Sequence, residues 1–219
     1  MRNEFEHTHE RCDKGDSRAT PTVPVGVVAD HIAAADPMPG VVPHQVNRLV
    51  IDVAEPLDGF RKRYEQAVPR IEEQHLVDLI ERQAPWSEVL ADTDARAPHG
   101  FVIYFSSDVT PLMGLAGDRG RCVMYLMGNH TIAERMYRHD PAVMLYAPLR
   151  SALCSGTDGR TRFVVDQPST EFSSFGVPEI TAVGVELDRK LVGLLDALGA
   201  PVPAVLRESQ ESRPGPEAD

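Results

Sequence analysis

No apolar run in this sequence approaches the roughly 20 residues that a membrane-spanning helix needs, so no span is expected. An excess of basic charge is missing too. The formal net charge is −11, which excludes a nucleic-acid backbone and an anionic membrane surface as partners, because both are held by a basic face. Cysteine is scarce. Cys12, Cys122 and Cys154 are the three, with no CxxC among them. That count excludes a disulfide framework and a cysteine-histidine zinc site, and it suits a reduced cytoplasm. Cys122 and Cys154 fall in strand patterns and read as two small hydrophobes, with a bond between them as the alternative. Phosphate-loop, dinucleotide-binding and nucleophile-elbow patterns are all lacking. The opening segment, MRNEFEHTHERCDK, is too acidic and polar to read as a secretory leader.

What is present is one domain with unlike ends. Residues 1–43 and 200–219 carry Pro, Glu and Ser without a helix or strand period, so both are expected to be disordered or extended tails. Residues 44–199 form the expected domain. Strands are expected at 46–53, 101–105, 121–127, 142–147, 149–155 and 161–166. Helices are expected at 57–67, 72–83, 86–90, 132–139 and 178–198. The last is the clearest, with Ile180, Val183, Leu187, Leu191, Leu194 and Leu198 on one stripe between Pro178 and Gly199. In 101–105, Phe101, Ile103 and Phe105 share one face, and Val102 and Tyr104 the other. Strands apolar on both faces imply a sheet covered on both. The cover is expected from helices, from a ligand, or from a second copy of the chain.

The candidate site lies at Gly128-Asn129-His130, at the mouth of a helix, where free backbone N–H groups converge. Thr131 and Glu134 have capping-box spacing, which leaves His130 just outside the cap, where the positive helix end favours a neutral imidazole. Asn129 is a natural turn former. A two-residue turn at Asp158-Gly159 would place Arg150 opposite Gln167. It would then share a core-facing row with Ala152, Cys154, Phe163 and Val165, and Asp166 would point the other way. A charge in that position needs a partner. The expected ligand site is therefore Tyr125, Asn129, His130 and Arg150. His130 shaping the turn through a backbone hydrogen bond is the plainer alternative. No metal site is expected, although His130 with Met113, Met124, Met127, Met136 and Met144 leaves a haem or soft-metal pocket open.

Along YLMGNH…AERM…HDPAVMLYAPLR…DG…F.VDQPS…FG.PEI…LD.KL..LL..LG, the chain resembles the family known as domain of unknown function 302. The strongest matches are Gly128-Asn129, Asp140-Pro141, Leu149-Arg150 and Asp158-Gly159. The likeness covers 100–199 and extends back towards 46. It implies an α+β fold, a two-layer sandwich with a mostly antiparallel sheet built from a duplicated β-α-β-β unit with helices packed on it, and a homodimer. His130 departs from the Pro that short family members carry after Gly-Asn. The family supplies no catalytic residues. The expected function is binding of a small anionic or planar molecule in an accessory role, with no cofactor. The alternative is an enzyme or haem/metal protein using His130 as base or ligand.

Overall fold

The computed structural model describes residues 40–211. Expectations about residues 1–39, Cys12 included, lie outside them. In chain order the elements are β1 (Arg48–Val53), α1 (Leu57–Ala67), α2 (Glu73–Glu81), α3 (Trp86–Arg96), β2 (Val102–Asp108), α4 (Thr110–Gly114), β3 (Arg121–Gly128), α5 (His130–Tyr137), β4 (Leu149–Ser155), β5 (Thr161–Asp166), α6 (Pro168–Phe172), α7 (Pro178–Ala197) and α8 (Ala204–Glu211). The strands form one antiparallel sheet in the order β1-β5-β4-β3-β2. The fold is α+β, with helices packed on that sheet, as the sequence implied.

One face of the sheet is the core. Ile51, Phe163, Leu153, Val123, Tyr125 and Met127 point into it and are buried. Across their middle lies α1. Its Tyr64 ring meets Tyr125 at 5.0 Å and Phe163 at 5.6 Å, and its hydroxyl reaches Met127 Sδ at 3.1 Å and Ser151 Oγ at 3.2 Å. A buried phenol needs such partners. The apolar stripe of α7 is buried as read, from Ile180 to Leu198. Asp188, fully buried, ties α7 to the start of α6. Its carboxylate accepts from Gln167 Nε2 at 2.8 Å and from Ser169 N at 3.0 Å.

The opposite face is open. From β1 to β3 its side chains are exposed or half-buried, with Val50 56% and, on β2, Phe105 48% exposed. The chain's own helices therefore cover one face only among the described residues. The expectation that Phe105 shares a face with Phe101 and Ile103 is corrected by a β-bulge. Ile103 pairs with Met127 and Phe105 with Leu126, so Tyr104 is an extra residue with no rung of its own. Such a bulge turns the following side chains over.

Two further expectations are corrected. Residues 142–147 are not a strand. Pro141–Leu145 is a 3-10 turn, begun by the Asp140 carboxylate accepting from Ala142 N at 2.8 Å. Val143 is its one buried residue, so a continuous apolar sequence here marks one inward turn rather than a rung of sheet. The second half of the chain thus lacks the leading strand that a complete β-α-β-β repeat would have. The hairpin register also differs. Ser151 pairs with Val165 and Ser155 with Thr161, leaving a five-residue loop, Gly156–Arg160. Gly159 sits there at φ +71°, where glycine is the natural choice.

The domain runs past residue 199. In α8, which begins at Ala204, Leu206 is fully buried in the core cluster. Truncation after Gly199 should lower the melting temperature by several degrees, and Leu206→Ala should cost about 3 kcal/mol in urea unfolding. An unchanged melting temperature on truncation would show that α8 adds nothing to the fold.

Candidate functional site

Strand β3 ends at Gly128 because the chain there passes against the next strand's lead-in. A Cβ on Gly128 would lie 3.2 Å from Pro148 Cβ and 3.6 Å from the Tyr104 ring. Asn129 then leaves the sheet in extended conformation and caps α5. Its Oδ1 accepts from Thr131 N at 2.9 Å and Ile132 N at 3.2 Å, and its Nδ2 donates to Gly100 O at 3.2 Å. The expected cap at Thr131 is corrected by two residues. Glu134 is engaged by Arg138 instead. His130 is thus the first residue of the helix rather than a residue outside it.

The imidazole of His130 is held on both sides. Nδ1 lies 2.8 Å from the Tyr104 hydroxyl, and Nε2 lies 2.8 Å from Thr93 Oγ1. Thr93 Oγ1 gives its hydrogen to Val89 O at 2.7 Å. It can only accept from the ring, so Nε2 carries the proton and Nδ1 accepts from Tyr104. Burial lowers the His130 pKa from its ordinary value, against a smaller opposing pull from Asp92. Burial also pushes the Tyr104 hydroxyl up to about 12, partly offset by a hydrogen bond from the His130 main chain. The row is therefore a neutral phenol donating to a neutral imidazole.

The same geometry settles the helix mouth. Asn129 Oδ1 takes the main-chain hydrogen bonds of Thr131 and Ile132, and Asn129 O takes Ala133 N at 2.9 Å. Three of the leading N–H groups, those of Thr131, Ile132 and Ala133, are engaged, which weakens the anion-binding feature that the sequence suggested.

Beside the row is a cavity of about 370 Å³. Ala133, Met136, Met144, Leu149, Phe172 and Leu187 supply apolar walls, and Tyr104, Asn129 and His130 stand at one end. Exposed Tyr137 and Met144 also line it. A second cavity of about 170 Å³ lies on the other side of His130, with Thr93 in its wall, and mixes apolar residues with charged ones. There His75 Nε2 and Asp92 Oδ1 are 2.8 Å apart, and Arg70 and Arg96 line the wall. His130 is the partition between the two.

Of the four residues expected to form one site, Asn129 and His130 meet at the cavity. Tyr125 does not line it. Its ring is buried under Tyr64, and its hydroxyl donates to Glu65 Oε1 at 2.9 Å. Arg150 does not line it either. It pairs with Leu126 on the open face, and the observed register puts Ala152, Val164 and Arg162 on its side while Phe163 and Val165 point into the core. Its electrostatic neighbour is Glu171, a carboxyl only 5% exposed. Burial, then the nearby Asp166, push Glu171 up to about 7, and Arg150 acts against them. The residues that sequence reading missed are Tyr104 and Thr93. Neither has a motif; the bulge brings in the first and the length of α3 the second. Among the described residues, no group of three or more His, Cys, Asp or Glu is placed to hold a metal ion.

The pattern of the family described as "Domain of unknown function DUF302" matches residues 81–198, a stretch that takes in Thr93, Tyr104 and His130. No curated protein matches the chain. The crystal structure of an uncharacterized conserved DUF302 protein from Bacillus stearothermophilus is similar, with a TM-score of 0.50 and 15% identity, over 69% of this chain and 97% of that one. At that identity the likeness is one of fold.

The raised value of Glu171 has a pH signature. Its folded value lies above the ordinary 4.5. The protonated form stabilises the fold at low pH, and that contribution is lost as pH rises from about 4.5 through about 7. Glu171→Gln should leave stability unchanged near pH 4 and add about 2 kcal/mol at pH 8. Urea melts at the two values check this; equal effects at both would return Glu171 to an ordinary carboxylate.

Proposed function

The chain belongs to the DUF302 family, whose description names no activity, and from that premise we propose its function from the cavity: it binds a small, uncharged, planar or aliphatic molecule between α5, α7 and the end of the sheet. The observation that carries this is the lining. About 370 Å³ is enough for a small ligand, the walls are apolar apart from Glu134 of α5, which is engaged by Arg138, and Tyr104, Asn129 and His130 add polar groups. Of the two chemistries expected from the sequence, the engaged N–H groups of α5 weigh against an anion and leave a planar molecule. Its polar atom would sit beside the Tyr104 hydroxyl oxygen. A cytoplasmic setting belongs to this reading, since Cys122 and Cys154 are free thiols.

The test is a comparison of probes. 1-Naphthol should raise the melting temperature and shift the His130 ring signals in NMR, while inorganic phosphate should do neither. Ala133→Phe, which fills the cavity, should abolish the effect and leave the fold intact. His130→Ala removes the partition, so the joined cavities should accept a longer probe, such as 4-phenylphenol, better than the native protein does. Phosphate binding with no response to naphthol would overturn the reading.

The Tyr104–His130 pair favours a second reading, an enzyme in which the two move a proton on a substrate oxygen. A haem or metal ion on His130 would have to displace Tyr104 or Thr93 from a ring nitrogen, and an optical spectrum of the purified protein tests for it.

We further infer that the open sheet face seats a second copy of the chain. Met124, Leu126, Val164, Val50 and Phe105 give it an apolar band, and Arg48, Arg150, Asp52 and Asp166 give it charges of both signs, as a self-complementary contact requires. Light scattering should return about twice the chain mass, and Leu126→Glu should return the mass of one chain with unchanged circular dichroism. A monomeric native protein at micromolar concentration would exclude this contact.

A further inference from the structure

Cys122 and Cys154 stand directly opposite one another on β3 and β4. The kind of rung they occupy follows from where Cys122 directs its main chain. Its carbonyl accepts from Val109 N at 3.1 Å, and its N–H donates to Thr110 Oγ1 at 3.1 Å. Both groups point towards the β2 and α4 side, so neither points at β4. The pair is therefore a non-hydrogen-bonded rung of an antiparallel ladder. In such a rung Cα atoms are about 4.5 Å apart and the side chains lean together. That spacing lies within the roughly 4.4–6.8 Å that a disulfide spans. Both thiols project from the open face, both are half-buried, and both are free.

We propose that Cys122 and Cys154 are a redox modification site, closing to an intramolecular cross-strand disulfide when the protein meets a small disulfide such as oxidised glutathione. Cys154 is the first nucleophile. Burial raises both thiols, but at Cys154 the guanidinium of Arg162, opposite it on β5, acts against that rise, whereas at Cys122 the charges of Cys154 and Asp108 add to it. The Cys154 thiolate attacks one glutathione sulfur, a protein–glutathione disulfide forms, and one glutathione leaves as thiolate and takes up a proton. Cys122 then loses its proton to solvent, attacks the Cys154 sulfur and expels the second glutathione. Two protein thiols are oxidised, and one glutathione disulfide is reduced to two thiols. An exposed bond of this kind is readily reduced again. The pair lies one rung from the end of the ladder and about 20 Å along the strand from the cavity end; it is open to a small oxidant in the single chain, and the second copy inferred above would cover it. The chain between the two cysteines carries Asn129, His130, α5 and the lead into β4. Closure thus ties together the far ends of the two strands that frame the ligand cavity.

The experiment uses the full chain with Cys12→Ser, which removes the third cysteine. After incubation with oxidised glutathione, intact mass should fall by two hydrogens and thiol titration should read zero. The protein should run as a single chain on a non-reducing gel, and dithiothreitol should restore both thiols. Trypsin should release one peptide pair joined through 122 and 154. Adding Cys154→Ser should stop the reaction at one glutathionyl group on Cys122. Glutathionyl groups persisting on both cysteines, a cross-link between chains, or two thiols that stay reduced in folded protein yet react in urea would each overturn the proposal.

Discussion

The carboxamide of Asn129 is the interaction on which this structure turns. It is bonded on three sides, to Thr131 N, Ile132 N and Gly100 O. By accepting the leading N–H groups of α5 it decides where β3 stops and where the helix begins. By starting the helix at His130 it sends that side chain back between β2 and α3 rather than out to solvent. It also engages two of the donors that would otherwise have drawn an anion. A cap that satisfies its own helix leaves a site whose polarity comes from a phenol and an imidazole, not from the helix end.

Much of this was readable in the sequence because local signals agreed with tertiary need. The stripe of α7, with Pro178 before it and Gly199 after it, survives intact from pattern to core. Strands β4 and β5 lie exactly over the residues their alternation marked. At Pro141–Leu145 the signals diverged. A run of apolar residues there has strand composition, but Asp140 and Pro141 together favour a tight helical start, and the local chemistry prevailed.

The site was half legible, for a geometric reason. Asn129 and His130 adjoin in sequence, so a turn pattern could find both. Arg150 depended on counting pairs across a hairpin, and a strand alternates its faces at every residue. A loop of five residues rather than two moved the count by one, and Arg150 went from the core face to the open one. Tyr104 and Thr93 reach His130 across distances of 26 and 37 positions. Nothing local to either residue announces such a meeting.

The bulge at Tyr104 means that β2 is one residue longer than the stretch of β3 it accompanies. The strand is in this sense a counted length, and its extra member is the one that meets His130. Loss of a single residue anywhere between Val102 and Phe105 would restore a regular ladder without unfolding the sheet. It would also take the phenol from its place beside the imidazole, while Phe105 kept its rung with Leu126 on the open face. The hairpin at Gly156–Arg160 has no such arithmetic to keep, since its end faces water. A one-position gap in β2, when related chains are set side by side, therefore marks those that have given up this pair, and a gap in the hairpin marks nothing.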